Sequence, residues 1–263
     1  MISDHIQNIK GLIIDMDGVL WRDTHAIGHL PDIFSQLRKL KIKFILATNN
    51  ASRTLEEYIA KLANFGVSLE ENQIITAAQA TGIYLHDRYG EGTRVFVVGQ
   101  PSLKHTLASY NLVVLDGDEK DATVVVASID FNLSYEKIKH ASLLIQSGSD
   151  FVGTNPDRAL PTPEGLIPGS GTIIGALEIA SGIKAQNIGK PGPRLYQMAL
   201  RRLGLQPEET LAVGDRLETD ILGAHAAGIH TALVLSGAST RTQAQGFDPK
   251  PEIISVDLAE LVF

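Results

Sequence analysis

The chain of 263 residues has no cysteine, only one tryptophan and no excess of basic residues. Without cysteine there can be no disulfide framework, no thiolate nucleophile and no thiolate metal site. Lys and Arg number 23 against 30 Asp and Glu, a formal net charge of −7 that argues against a nucleic-acid backbone as partner. No apolar run reaches the ~20 residues that a transmembrane helix needs. Met1-Ile2-Ser3-Asp4-His5 does not read as the start of a secretory signal. Repeats, low-complexity tracts and charged tails are missing as well. The eight histidines show no metal-ligand spacing, and Trp21 reads as core or as a wall beside the loop before it. What remains is an ordinary composition, 44% hydrophobic and 20% charged, long enough for one large or two modest domains. The expectation is a cytoplasmic protein without nucleic-acid or membrane partners.

The most informative stretch is Asp15-Met16-Asp17-Gly18-Val19-Leu20, directly after the apolar run Gly11-Leu12-Ile13-Ile14. The run reads as a buried strand, and the two acids after it point the same way off its tip. Like charges so close repel, so a divalent cation is a natural partner. Three later segments repeat the pattern of an apolar strand that ends in polar groups. They are Lys43-Phe44-Ile45-Leu46-Ala47-Thr48-Asn49-Asn50, Asn187-Ile188-Gly189-Lys190-Pro191, and Thr210 to Gly214 followed by Asp215-Arg216-Leu217-Glu218-Thr219-Asp220. In open α/β sheets the ligand crevice lies at those carboxyl ends.

Together these residues answer the needs of phosphoryl transfer: a nucleophile, a proton donor for the leaving oxygen, and positive charge over the transferring oxygens. Asp15 can supply the nucleophile, giving an aspartyl phosphate, and Asp17 can protonate the leaving group and then activate water. Thr48 offers a hydroxyl, and Asn49 and Asn50 offer amides, to phosphate oxygens. Lys190 adds a fixed cation. Asp215 with Asp15 makes an oxygen-only site of the kind Mg²⁺ prefers, and Asp220 can orient its ligands from further out. Two other classes share part of this chemistry, a phospho-accepting receiver-like regulatory module and a non-catalytic small-molecule-binding protein. The second acid of the opening pair and the long insert described below speak against the first, and the full set of reactive carboxylates against the second.

With these motifs the chain resembles the haloacid dehalogenase (HAD) superfamily of aspartate-nucleophile phosphatases. It is most similar to subfamily IIA, which includes NagD, p-nitrophenyl phosphatases, phosphoglycolate phosphatase and pyridoxal phosphatase. Gly153-Thr154-Asn155-Pro156-Asp157 and Pro168-Gly169-Ser170-Gly171 add signals of that subfamily. The resemblance implies a phosphoric monoester hydrolase dependent on Mg²⁺. It adds Gly18 to the phosphate-binding residues and gives a metal set of Asp15, Asp17, Asp215 and Asp220. It also implies a cap loop, here carrying Arg158, that reads the leaving group, and a homodimer through the cap. Substrates implied are small phosphomonoesters: p-nitrophenyl phosphate, phosphoglycolate, sugar phosphates and nucleoside monophosphates.

Spacing sets the architecture. About 30 residues separate Asp17 from Thr48, enough for one βαβ crossover. About 140 separate Thr48 from Lys190, far more than one crossover needs. That excess holds its own alternation, with strands over 94–99, 122–127 and 151–153 and helices over 102–110 and 135–148. The expected fold is α/β: a doubly wound, Rossmann-like core over 1–80 and 185–263, with an inserted α/β cap of the C2 type over 81–184. A helix over 220–227, closed by Gly228, should carry Asp220 in its first turn.

Overall fold

The structure, a computed structural model, describes residues 8–115, 117, 119–162 and 164–263. His5 and the rest of the opening segment, and Pro163, lie outside the described residues. The chain forms two compact units. One holds the chain up to Thr48 with Leu55–Ile75 and Lys190–Phe263; the other holds Asn49–Thr54 and Thr76–Gly189. The boundary read from sequence at 81 falls inside the helix Ala77–Tyr89, whose first turn is capped by the Thr76 hydroxyl. A single helix is not divided, so the division lies ahead of it. At the far end the division is at Gly189–Lys190, because the strand Gln186–Asn187 pairs with Asp150–Gly153 in the second unit's sheet. The short strand before Lys190 therefore belongs to the insert.

The first unit is built on a six-stranded sheet. Its order is Ile253–Ser255, His230–Val234, Thr210–Gly214, Gly11–Ile14, Lys43–Thr48 and Ile74–Thr76. Gly11–Ile14 pairs in parallel with Thr210–Gly214 on one side and Lys43–Thr48 on the other. These strands are buried along nearly their whole length, as expected where both faces of a parallel sheet are covered. The helix Leu30–Lys39 buries Leu30, Ile33, Phe34 and Leu37, one stripe at helical spacing, in a core that also holds Trp21, Phe44 and Tyr58. From Gly11–Ile14 the chain builds outward in one direction, and from Thr210–Gly214 in the other. The strand order thus reverses between these two neighbours, and their carboxyl ends flank the switch point at which open α/β sheets bind ligands.

The second unit has a five-stranded parallel sheet of its own, ordered Gln186–Asn187, Asp150–Gly153, Val124–Ala127, Arg94–Val98 and Val113–Leu115. The helices Tyr135–Gln146 and Ser170–Ser181 pack Leu144, Ile145, Ile173, Ile174 and Leu177 into its core with Phe96, Val125 and Phe151. No helix among the described residues is long and apolar enough to cross a membrane.

Candidate active site

The opening motif is shaped by backbone bonds. The Asp15 N–H donates to the Val213 carbonyl (2.8 Å), which carries strand pairing one residue past Ile14. The chain then turns tightly, with Leu20 N–H on the Met16 carbonyl (2.9 Å) and Gly18 N–H on the Trp21 carbonyl (2.8 Å). Gly18 sits at φ 86°, and a Cβ there would overlap the Asp215 carboxylate, so both conformation and space require glycine. Trp21 is fully buried and donates its Nε1–H to Asp17 Oδ1 (2.8 Å), while Lys61 Nζ lies 4.1 Å from the centre of its ring. Trp21 is therefore both core and support for the second acid.

Three carboxylates converge at the switch point. Asp15, Asp215 and Asp220 each bring an oxygen within 4.8 Å of the others. Asp17, grouped with them from the sequence, stands outside this set: its carboxylate is exposed and held by Trp21. Asp215 follows the strand Thr210–Gly214; its Oδ2 accepts from Ala238 N–H (2.7 Å), and its Oδ1 is buried without a hydrogen-bond partner. Asp220 does not begin an α-helix, as the sequence suggested. It lies in a π-helical turn, Leu217–Ile221, before the short helix Leu222–Ala226. Its Oδ2 accepts from Arg216 N–H (3.0 Å) and its carbonyl from the Tyr196 hydroxyl (3.0 Å). Lys190, only 2% exposed, places Nζ 2.5 Å from Asp15 Oδ1, 2.6 Å from Asp220 Oδ1 and 3.2 Å from the Ala47 carbonyl.

The electrostatics follow from burial. Loss of hydration pushes Asp15 well above the usual carboxylate range; Lys190 opposes the rise, and Asp220 and Asp215 add to it. Burial and the Asp220 charge push Asp215 up to about 6. Burial works against the charge on Lys190, but the adjacent Asp15 and Asp220 carboxylates outweigh it and hold the ammonium well above its ordinary value. Among the described residues Lys190 is the cation in hydrogen-bond contact with these acids, and its one charge does not balance three carboxylates. The donors are all oxygen, and one of them, Asp215 Oδ1, is an orphan, so the residues fit a hard divalent cation such as Mg²⁺.

The other expected site residues divide between the units. Thr48 is the buried last residue of the strand Lys43–Thr48, in the first unit. Asn49, Asn50 and Arg158 belong to the second. Asn49 is buried, with Nδ2 3.3 Å from both carboxylate oxygens of Asp157. The Asn50 side chain serves a local turn, with Oδ1 accepting from the backbone and hydroxyl of Ser52. The side chain of Arg158 is exposed, while its carbonyl accepts from Gly169 N–H (2.9 Å) and the Thr172 hydroxyl (2.8 Å). Sequence reasoning missed the loop Ser236-Gly237-Ala238. There the Ala238 amide holds Asp215, the Ser236 hydroxyl donates to the Gly18 carbonyl (2.7 Å), and a Cβ at Gly237 would overlap Asp215. The available signal was position, since the loop follows the strand His230–Val234, next in the sheet to Thr210–Gly214.

Known proteins are similar to this chain in sequence and fold. A family described as haloacid dehalogenase-like hydrolase matches residues 12–113, and a HAD-hydrolase-like family matches residues 187–261. The acid sugar phosphatase of Staphylococcus haemolyticus is 32% identical, the alignment covering 96% of this chain and 95% of that one. The solved 4-nitrophenylphosphatase of Thermotoga maritima superposes with a TM-score of 0.92 at 32% identity, over 100% of this chain and 98% of the other. The glycerol phosphate phosphatase of Mycobacterium tuberculosis, solved in complex with magnesium, gives 0.90 at 33%, over 97% and 77%. The chain belongs to the haloacid dehalogenase-like hydrolases, in the branch that includes NagD and the p-nitrophenyl phosphatases.

Proposed function

We propose that this protein is a Mg²⁺-dependent phosphatase that hydrolyses small phosphomonoesters through an aspartyl phosphate on Asp15. The observation that carries the reading is the cluster of carboxylates of Asp15, Asp215 and Asp220, the last two buried, with Lys190 against the nucleophile and an orphaned oxygen on Asp215. An Asp15 carboxylate oxygen attacks phosphorus, the ester P–O bond breaks, and Asp17 gives its proton to the leaving alkoxide. Asp17 then takes a proton from water, whose oxygen attacks phosphorus and releases phosphate and the free carboxylate. Lys190 opposes the protonation of Asp15 that burial favours. Thr48 and the turn at Gly18 contact phosphoryl oxygens. Asp15 and Asp215, with Asp220 behind them, would hold Mg²⁺, which when bound supplies positive charge over those oxygens.

The test is steady turnover of p-nitrophenyl phosphate, abolished by EDTA and restored by Mg²⁺. Asp15→Asn removes turnover and phosphoenzyme, since an amide is a poor nucleophile. Asp17→Asn retains substrate binding and slows kcat by roughly 10²–10⁴, the usual worth of general acid–base catalysis. Near-normal turnover with Asn at position 15 would sink the covalent mechanism. A receiver-like module would accept one phosphoryl group without turning over.

Selection among phosphomonoesters falls to the second unit and in particular to Arg158, whose fixed backbone and exposed guanidinium suit a forked contact with a carboxylate on the leaving group. Arg158→Ala should lower kcat/KM for phosphoglycolate while hardly changing p-nitrophenyl phosphate. Equal losses on the two substrates would refute a leaving-group role.

A further inference from the structure

The chain passes between the units at four points, and at two of them a residue of the proposed phosphate site stands on the first-unit side: Thr48 before Asn49, and Lys190 after Gly189. Inside the second unit, Asn49 and Gly189 meet the same loop. Asn155, 2% exposed, donates from Nδ2 to the Asn49 carbonyl (2.8 Å), with Ser170 Oγ (3.2 Å) and Thr154 Oγ1 (3.3 Å) as further acceptors. The neighbouring Thr154 carbonyl accepts from Gly189 N–H (2.8 Å). A Cβ at Gly189 would overlap that carbonyl and the side-chain oxygen of Asn49, so glycine is what lets the chain at 189 lie against Thr154.

The loop has little room to move. Asn155 Oδ1 accepts from Asp157 N–H (3.1 Å), Thr154 donates to Ser128 Oγ (2.8 Å), and Ser170 Oγ accepts from Ile129 N–H (3.1 Å). Gly169 and Gly171 bring the start of the helix Ser170–Ser181 onto the backbone of Pro156 and Asp157. This buried network of satisfied polar groups is rigid where it meets the two peptides.

We infer that Asn155 is a positioning residue for the phosphatase reaction: it ties the Asn49 carbonyl to the loop whose Thr154 carbonyl holds the Gly189 amide, and so sets the spacing of Thr48 and Lys190. The inference rests on the phosphate-binding roles proposed above for those two residues. An amide serving stability alone could sit anywhere in the unit; this one joins residues 106 apart in sequence, next to the two peptides that carry the site. Misplacement of a binding group by about 1 Å can cost on the order of 10² in rate.

The experiment compares Asn155→Ala with Thr154→Val, which removes a hydroxyl from the same network but keeps the Asn155–Asn49 bond. With p-nitrophenyl phosphate as substrate, kcat, the inhibition constant of inorganic phosphate, the half-saturating Mg²⁺ concentration and Tm are read for each. Asn155→Ala should lower kcat by about 10–100-fold and raise the phosphate constant by about tenfold. Half-saturating Mg²⁺ should shift clearly less than the phosphate constant, because Asp15, Asp215 and Asp220 are not on those peptides and feel the change only through Lys190. Thr154→Val should lose a comparable Tm with kcat within about threefold. Asn155→Ser, which keeps a buried polar group, is the second variant should alanine fail to fold, and must show the same split in smaller measure. Unchanged kcat, or Mg²⁺ and phosphate constants moving together, overturns the inference. An inactive wild-type protein would instead remove the reading beneath it.

Discussion

In the resting protein Lys190 lies between Asp15 and Asp220, almost without access to water. From the sequence its charge has a use only when phosphate is bound; the structure gives it a second one, as a cation at hydrogen-bond distance from both Asp15 and Asp220. Breaking a buried pair by removing one partner leaves the other charge uncompensated and costs about 3–5 kcal/mol, less here because Asp15 can take up a proton. Lys190→Ala should therefore lose activity and also unfold at lower urea when metal-free, by on the order of 3 kcal/mol, with part of the loss regained in Mg²⁺. A metal-free midpoint equal to wild type would show that the lysine is not holding the acids together. Asp15, Lys190 and Asp215 were legible in the sequence because each is a reactive side chain at the end of an apolar run. The amide of Ala238, which holds Asp215, was not, because a backbone donor carries no residue signature.

Among the elements, the turn carrying Asp220 shows where local reading stops. The segment after Asp215 has helix-forming residues and a closing Gly228, so a helix over 220–227 was the natural expectation. Two donors, the amides of Asp220 and Ile221, instead share the Arg216 carbonyl (2.9 and 3.2 Å), which widens the first turn into a π turn. The widening is a tertiary effect: Asp220 packs on Gly214, where a Cβ would overlap it, and the Tyr196 hydroxyl binds its carbonyl from the helix Arg194–Leu203. Neither partner is within helical reach in sequence. Tyr196→Phe leaves that buried carbonyl without its donor, so stability should fall by about 1–3 kcal/mol. Activity should fall with it, through a misplaced Asp220, and more so at limiting Mg²⁺. If chemical denaturation showed no loss, the hydroxyl would not be what fixes the turn. The strands and helices with clean apolar stripes were legible within a few residues of their ends. The unit boundaries were less so, because a continuous helix at 77–89 and a two-residue strand at 186–187 are assigned by packing and pairing, which composition does not record.

For the molecule as a whole, the charge gathered at the switch point couples stability, pH and metal. Asp215 has a folded pKa of about 6, against an ordinary value of 3.8, and Asp15 is raised as well. A carboxyl whose pKa rises on folding binds its proton more tightly in the native state, so the metal-free fold is favoured below pH 4 and loses that contribution as pH climbs to about 6. Lys190, raised in the opposite charge sense, stays protonated throughout this window and adds no slope. For Asp215 the loss is on the order of 3 kcal/mol, two units at about 1.4 kcal/mol each. A bound cation replaces the proton, so its affinity should rise steeply with pH below 6 and level off above. Thermal unfolding in EDTA should accordingly show Tm falling between pH 4 and 6 more steeply in wild type than in Asp215→Asn. Adding Mg²⁺ should raise the wild-type Tm strongly at pH 7 and weakly at pH 5, and should raise that of Asp215→Asn little at either. If Mg²⁺ stabilised the wild type equally at both pH values, the acids at the switch point would not be exchanging protons for metal, and their burial would need another explanation.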